Sequence, residues 1–474
     1  MFKKIYEWIL QSKKTSLVVN TSKPIDYLLN DPTTPQLVGS TLYSETRLPL
    51  DIKGFSGGGF KISTPEGKAA NCYSIIKNSL NSLSLKMEKF PSKWAATPKL
   101  NVYPVAGQDF NAFYDRKSLK FFYGYDPKVR KNIYTADSND IVAHELGHAI
   151  LDSLRPDFWN VQSFEVWALH ESFGDIVAIL SIMENKNVLE LALKQTSGDL
   201  SKSNIVSRLA EEFGKAIFNV TKGSKGYTPF YLRDAVNNYN YVNPETLPND
   251  ALDNVLSKEC HSFSRVLTGT WYECVVEIFN FEVKNNKMKP LEAIILAKET
   301  MAMYFFGAIA TVPLTGKIFE SLAKKIFIID SNKGGKYSSV LNKVFLKRKI
   351  IKGLSILNTF DLNEINENKK FIRIQSAEDG IVYKDLEKTK IVKISDFVDK
   401  KSLVDKNLYN IEIEVPFEDR YEISSNGMTI QSINNLEENI NLAVSCINSL
   451  ILTDKLKDLF VIENNKLVRD KIIN

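Results

Sequence analysis

The chain has 474 residues, and its 44% hydrophobic and 25% charged content is that of an ordinary soluble globular protein. The length allows about three domains or lobes with well-buried cores. Its 61 basic and 56 acidic residues leave a net charge of +5, too small at this size to argue for a nucleic-acid partner. Cys72, Cys260, Cys274 and Cys446 are scattered with no C-x-x-C pair, which argues against both a disulfide scaffold and a cysteine zinc site.

Residues 1–10 read as a short amphipathic helix. The apolar run is interrupted by Glu7 and has no cleavage-site pattern behind it, so no export signal is expected. No stretch is expected to reach the length of a membrane span, and the default location is the cytoplasm. Residues 15–70 are turn-rich, with strands expected at 36–38 and 60–62. Tyr73, Ile75, Ile76, Leu80 and Leu83 then fit an amphipathic helix over 70–83. Alternation marks strands at 99–103, 111–115 and 119–124.

Ser138-Asn139-Asp140 is a helix start. It opens onto His144-Glu145-Leu146-Gly147-His148, where Ile141, Val142, Leu146, Ala149 and Ile150 recur at helical spacing. Residues four apart share a helix face, so His144 and His148 can aim two imidazole nitrogens at one tetrahedral Zn²⁺. Glu145, one step round, is placed to act on a water instead. Pro156 stops this helix. A second helix runs over 163–184 and carries Glu171 and Asp175 one turn apart. Carboxylates on a helix ordinarily form a solvated face. Here Ala168, Phe173, Ile176 and Val177 make the segment mostly apolar, where an unpaired carboxylate is costly. Glu171 is therefore the candidate third zinc ligand, and Asp175 the partner that fixes a ligand histidine's tautomer.

From 187 to 325 the pattern is mostly helical, broken by a polar loop around 237–253. Residues 332–336 read as a linker. Strands are expected at 371–374, 390–394 and 410–415, and helix over 435–459. The basic stretch 343–349 reads as a solvated helix face.

His144, Glu145 and His148, followed 23 residues later by Glu171 in His170-Glu171-Ser172-Phe173-Gly174-Asp175, resemble the thermolysin-like zinc metallopeptidases, or gluzincins. Asn111-Ala112-Phe113-Tyr114 looks like that family's substrate-binding edge strand. Arg233 and, 28 residues on, His261 match its substrate arginine and transition-state histidine. The resemblance spans roughly residues 70–330. It implies an α+β, two-lobed fold: a β-rich lobe over 1–155, a helical lobe over 156–332, and an unmatched α+β extension over 333–474 that is a candidate for recruiting substrate or a partner. It also implies a zinc endopeptidase acting on peptides or proteins. His144, His148 and Glu171 hold Zn²⁺, Glu145 is the general base and His261 stabilises the oxyanion. Asn111, Ala112 and Arg233 hold the substrate backbone, and Ile141 and Leu232 line the pocket for the side chain after the scissile bond.

This chain departs from the family pattern in four respects. No tyrosine lies between His148 and Glu171, where Phe158 and Trp159 stand instead. Gly174 replaces the family's serine. For the family's calcium, Asp140 and Glu184 offer only part of a site. The family's usual export signal and long pro-segment are not seen. Two rivals follow: an aminopeptidase, disfavoured because no Gly-x-Met-Glu-Asn segment is present, and a zincin-fold binding or scaffold protein that has lost catalysis.

Overall fold

The computed structural model describes residues 24–58, 61–159, 161, 163–351, 381–423, 430–434 and parts of 440–469. The helix expected over 1–10 and the strand expected at 371–374 lie outside the described residues. Strands β1 (Ile25–Leu28) and β2 (Val38–Thr41) form an antiparallel pair, and β3 (Leu50–Ile52) follows. Lys61 and Ile62 form no strand. The carbonyl of Lys61 accepts from the amide and hydroxyl of Thr64, because Thr64 already begins a helix. That helix, α1 (Pro65–Lys86), starts earlier than its apolar periodicity alone suggests: Thr64 Oγ1 accepts from Gly67 N, and Pro65 presets the first turn.

Strands β4 (Leu100–Tyr103), β5 (Ala112–Tyr114) and β6 (Ser118–Phe121) join β3 in a sheet of order β3-β4-β6-β5. Only the edge strand β5 is antiparallel to its neighbour. The single strand expected over 119–124 breaks at Phe122, whose amide turns to Asn111 O and Thr135 Oγ1. Its second half becomes β7 (Tyr123–Asp126), paired with β8 (Lys131–Tyr134).

Helix α2 (Asn139–Leu154) carries the His-Glu-x-x-His segment. Ser138 stands at its N-cap but makes no cap bond; the hydroxyl bonds Asp31 and Asp140 instead. Helix α3 (Phe164–Met183) crosses α2 and is buried on nearly every face, as an all-apolar helix must be. After α4 (Lys186–Thr196), β9 (Arg208–Leu209) and α5 (Glu211–Thr221) comes β10 (Arg233–Asp234), which pairs with β9. The polar loop ends at α6 (Cys260–Asn285), followed by α7 (Pro290–Thr311), α8 (Ile318–Asn332) and α9 (Ser338–Lys347).

One contiguous hydrophobic core runs from Ile25 to Ile351, so the boundaries expected at 155 and 332 both fall inside it. The linker expected at 332–336 is a tight helix–helix turn. Gly334 and Gly335 take left-handed backbone, and Asp330 receives Tyr337 N and Ser338 Oγ. Leu341, Val344 and Phe345 of α9 are buried in the same core. At the end of α9, Lys347 and the following Arg348 pair with Glu273 of α6 at 2.5 Å each. Beyond, β11 (Ile381–Lys393), β12 (Glu412–Ile423), β13 (Ile430–Asn434), β14 (Phe460–Glu463) and β15 (Lys466–Arg469) form a separate sheet. It has its own core around Ile394, Val415 and Ile440. The described residues of the helical stretch expected over 435–459, such as Ile440, Val444 and Ile447, are helical.

The whole is a mixed assembly of helices and sheets, of α+β class. Among the described residues, two helices, α3 and α7, are long and apolar enough by length and composition to cross a membrane, contrary to the expectation from sequence. Of their apolar windows, 89% and 67% respectively are buried inside the protein, which is what core helices show.

Near the start of α2, the buried Asp31 and Asp140 carboxylates share Ser138, and Asp140 also accepts from Ala210 N. Burial, then the Asp140 charge, hold Asp31 well above the usual carboxylate range. With the folded pKa raised, stability present below the ordinary carboxylate pKa is lost as pH climbs towards the folded value. Asp31→Asn should therefore stabilise the protein at neutral pH, by an amount on the order of 1 kcal/mol, and the gain should vanish near pH 4, about the ordinary pKa of an aspartate. Urea unfolding at the two pH values checks it.

Candidate metal and hydrolytic site

Two glycines bring α2 and α3 together. A Cβ on Gly147 would stand 2.8 Å from Gly174 Cα, and one on Gly174 would stand 2.7 Å from the His144 ring. At Gly147 the contact is backbone, so the helices approach closely because that side chain is absent; at Gly174 a side chain would press on the His144 ring. Gly174→Ala should cost about 1–3 kcal/mol by overpacking and turn the His144 ring away; denaturant midpoints read the first effect.

The close crossing sets Glu171 opposite both histidines of α2. His144 Nε2 and His148 Nε2 lie 3.1 Å apart. Glu171 Oε2 is 3.4 Å from the first, and its Oε1 is 3.7 Å from the second. Ligand bonds of about 2.0–2.2 Å around a tetrahedral zinc place donors roughly 3.3–3.5 Å apart; the three groups fit that ion. Glu171 Oε2 is closed off from solvent and makes no hydrogen bond, as expected of an oxygen reserved for a cation. On the far side of His144, Nδ1 lies 3.0 Å from Asp175 Oδ1, so the N–H there donates to Asp175 and leaves the Nε2 lone pair free. Arg233 holds Asp175 in place through Nε and Nη2 at 3.1 and 2.7 Å.

The charges are steeply graded. Burial pulls His144 down, but Asp175 and Glu171 outweigh it and raise it to about 9. Burial pushes His148 down to about 3. It also opposes ionising Glu171, yet the facing imidazoles of His148, His261 and His144 hold that carboxyl well below the usual range. Glu145, buried beside them, is pushed up to about 7, partly offset by His144.

His261 enters from the first turn of α6, its Nε2 3.3 Å from Glu171 Oε2 and its Nδ1 2.5 Å from Glu259 Oε1. Partial burial pulls it down, but Glu171, Cys260 and Glu259 raise it to about 11. Glu259 also caps α6 by accepting from His261 N and Ser262 N. Its double role was not read from sequence, although a carboxylate two residues before a candidate histidine was a visible signal.

A cavity of about 180 Å³ beside the metal-type cluster is lined by Asn111, Ala112, Ile141, Glu145, Leu232, Arg233 and His261, among others. A second, of about 510 Å³, opens on the other side and is walled by Phe113, Tyr114, Phe158, Trp159, Trp167 and His170. Every site residue proposed from sequence thus lies in or against one cleft. All four histidines of the chain are there too, since His170 stacks on His148 with ring centroids 6.0 Å apart. The edge strand is tied to α2 by a buried network missed in the sequence: Tyr114 Oη donates to Asp152 at 2.9 Å, and Arg116 pairs with Asp152 at 2.8 Å. Asp152 is one helical turn beyond His148, so the strand and the ligands share one support.

The two residues considered for calcium are engaged elsewhere. Glu184 pairs with Lys298 and Lys86 at 2.6 and 3.1 Å, and Asp140 is bonded as above. Neither belongs to the two clusters of metal-type donors found among the described residues: His144, Glu145 and His148, and Glu171, Cys260 and His261. No protein-family model matches the chain, and no curated protein sequence matches it significantly.

Proposed function

We propose that this protein is a zinc-dependent endopeptidase of thermolysin-like fold. The observation that carries the reading is the convergence of His144, His148 and Glu171 on one point, with Glu145 beside them and His261 opposite. His144, His148 and Glu171 would hold the zinc. Bound there, zinc supplies Lewis acidity, which makes a water nucleophilic at neutral pH and polarises a carbonyl.

The chain's own groups supply the rest. Glu145, held near neutrality by burial, accepts the proton of the attacking water and returns it to the departing amine. His261, with Nδ1–H donating to Glu259, turns its Nε2–H towards the oxyanion, a contribution typically worth about 3 kcal/mol for one donor. The outer edge of β5 offers Asn111 and Ala112 to an extended peptide, which adds as a further strand. Ile141 and Leu232 give an apolar wall to the smaller cavity. Arg233, fixed on Asp175, keeps His144 oriented and faces the same cavity. The Asn111–Ala112 edge, which resembles a strand that holds substrate backbone, favours cleavage within a chain over trimming of an N-terminus.

The test is cleavage of casein by purified protein of measured zinc content, before and after chelation. About one zinc per chain, with cleavage lost on chelation and restored by zinc, is the expected result. Stoichiometric zinc without cleavage of casein or of a peptide library would favour the rival reading, a zincin-fold binding protein.

A further inference from the structure

The larger of the two hollows in the cleft still lacks a task. Asn111, Ala112, His144, Glu145 and His261 line both, so a reacting carbonyl lies where the two meet. Successive side chains of an extended peptide point to opposite sides, and the residues flanking the bond part into different hollows. The smaller, of about 180 Å³, carries Ile141 and Leu232 for the side chain after the bond. The larger, of about 510 Å³, then receives the side chain before it.

Its walls are rings, and they are held in place. Tyr114 meets Trp159 edge-on at 5.4 Å between centroids, and Trp159 meets His170 in the same way at 5.5 Å. Arg116, paired with Asp152, lies over Trp159 at 5.2 Å. Among the described residues of α3, Trp167 is the one that is exposed, at 41%. It stands four residues before Glu171, so it shares that face of the helix, one turn from the metal cluster. An open indole on the wall of an aromatic hollow is a surface built for an apolar ligand group. Glu145 and Glu171, the carboxylates that touch this hollow, are committed to the water and the ion. A cationic side chain therefore finds no free counter-ion there, and an anionic one meets electron-rich ring faces.

We infer that this hollow selects the substrate: it takes a large aromatic side chain from the residue before the scissile bond, and Trp167 is the wall that reads it. This rests on the peptidase reading above and names its substrate class. Selection would then fall mainly on the residue before the bond, because the hollow after it is the smaller one.

The test uses the full chain loaded with zinc and peptides blocked at both ends. They are identical except for the residue before a leucine, which is phenylalanine, alanine, lysine or glutamate. One methylene in an apolar pocket is typically worth about 10–200-fold in kcat/KM, so phenylalanine should be preferred to alanine by at least about 10-fold. Mass spectrometry should place the cut between phenylalanine and leucine. Trp167→Ala should lower the phenylalanine-to-alanine ratio several-fold, and Trp167→Phe, which keeps a ring, should restore most of it. A merely structural role for Trp167 would instead lower all the rates together. Binding supplies a readout without turnover: the phenylalanine peptide should shift the indole emission of Glu145→Gln, and adding Trp167→Phe should remove most of that shift. Equal cutting of the phenylalanine and alanine peptides, preference for lysine or glutamate, or a ratio that Trp167→Ala leaves unchanged overturns the aromatic subsite and leaves the peptidase standing. A zinc-loaded chain that cuts none of these peptides, nor casein, overturns both readings together.

Discussion

Glu145→Gln should keep its zinc and lose cleavage by roughly 10²–10⁴-fold, the usual worth of a positioned general base. The argument begins with geometry. Glu145 follows His144 on α2 and so points one step away from the His144–His148 face, into the same cavity as His261 and Ala112. Its donor atom lies within 4.8 Å of those of His144 and His148, but in this reading Glu171 supplies the third ligand, so an amide at 145 removes none. Its carboxylate is buried, and burial raises it to about 7, so that near neutrality it both takes and returns a proton. Glutamine has the same shape and can do neither. Folding should survive, because the substitution exchanges a buried acid for a neutral isostere. Metal analysis, thermal unfolding and casein cleavage on the same preparation separate the three properties. Cleavage within about threefold of the unaltered chain would remove Glu145 from the role of base, since the expected loss begins near 10²-fold.

The candidate site was legible in the sequence wherever it lies on periodic helices. The spacing of His144 and His148 fixes a shared face, and the apolar surroundings of Glu171 and Asp175 imply buried partners; both statements need only the 3.6-residue period. What sequence could not supply is the distance between helices. That rests on Gly147 and Gly174, whose value is the absence of a side chain at a crossing point. Gly174 looked like a departure from a pattern; in the fold it stands directly against the His144 ring. Asp152, Arg116 and Tyr114 were illegible for a similar reason: a buried ion pair between residues 36 apart leaves no local periodicity.

In the fold, helices α2 and α3 were readable to within a residue or two, because strong apolar periodicity is bounded by Ser138, Pro156 and Ser163. The linker expected at 332–336 is a turn whose following helix packs on the same core. A Gly-Gly turn with lysines around it has the composition of a linker, while its role is set by Asp330, which draws the next helix back onto the core. Local composition cannot distinguish a turn that leaves a core from one that returns to it.

Glu171→Gln should remove zinc and cleavage together. In the structure this one carboxylate answers His144, His148 and His261 at 3.4, 3.7 and 3.3 Å, and those imidazoles keep it ionised despite burial. The amide keeps the shape but loses the charge, and its NH₂ turns a donor towards whichever ring nitrogen it faces. A neutral, weakly basic oxygen is a poor zinc ligand, and two imidazoles alone leave the ion under-coordinated. An ion that binds the folded state alone stabilises it by RT ln(1 + [L]/Kd), about 4 kcal/mol at a thousand times Kd. Zinc should therefore raise the Tm of the unaltered chain by several degrees and leave that of Glu171→Gln unmoved. The comparison does not depend on finding a substrate. A zinc-dependent rise in Tm that survives the substitution would mean that the stabilising ion sits elsewhere, and the cluster of histidines would then need another explanation.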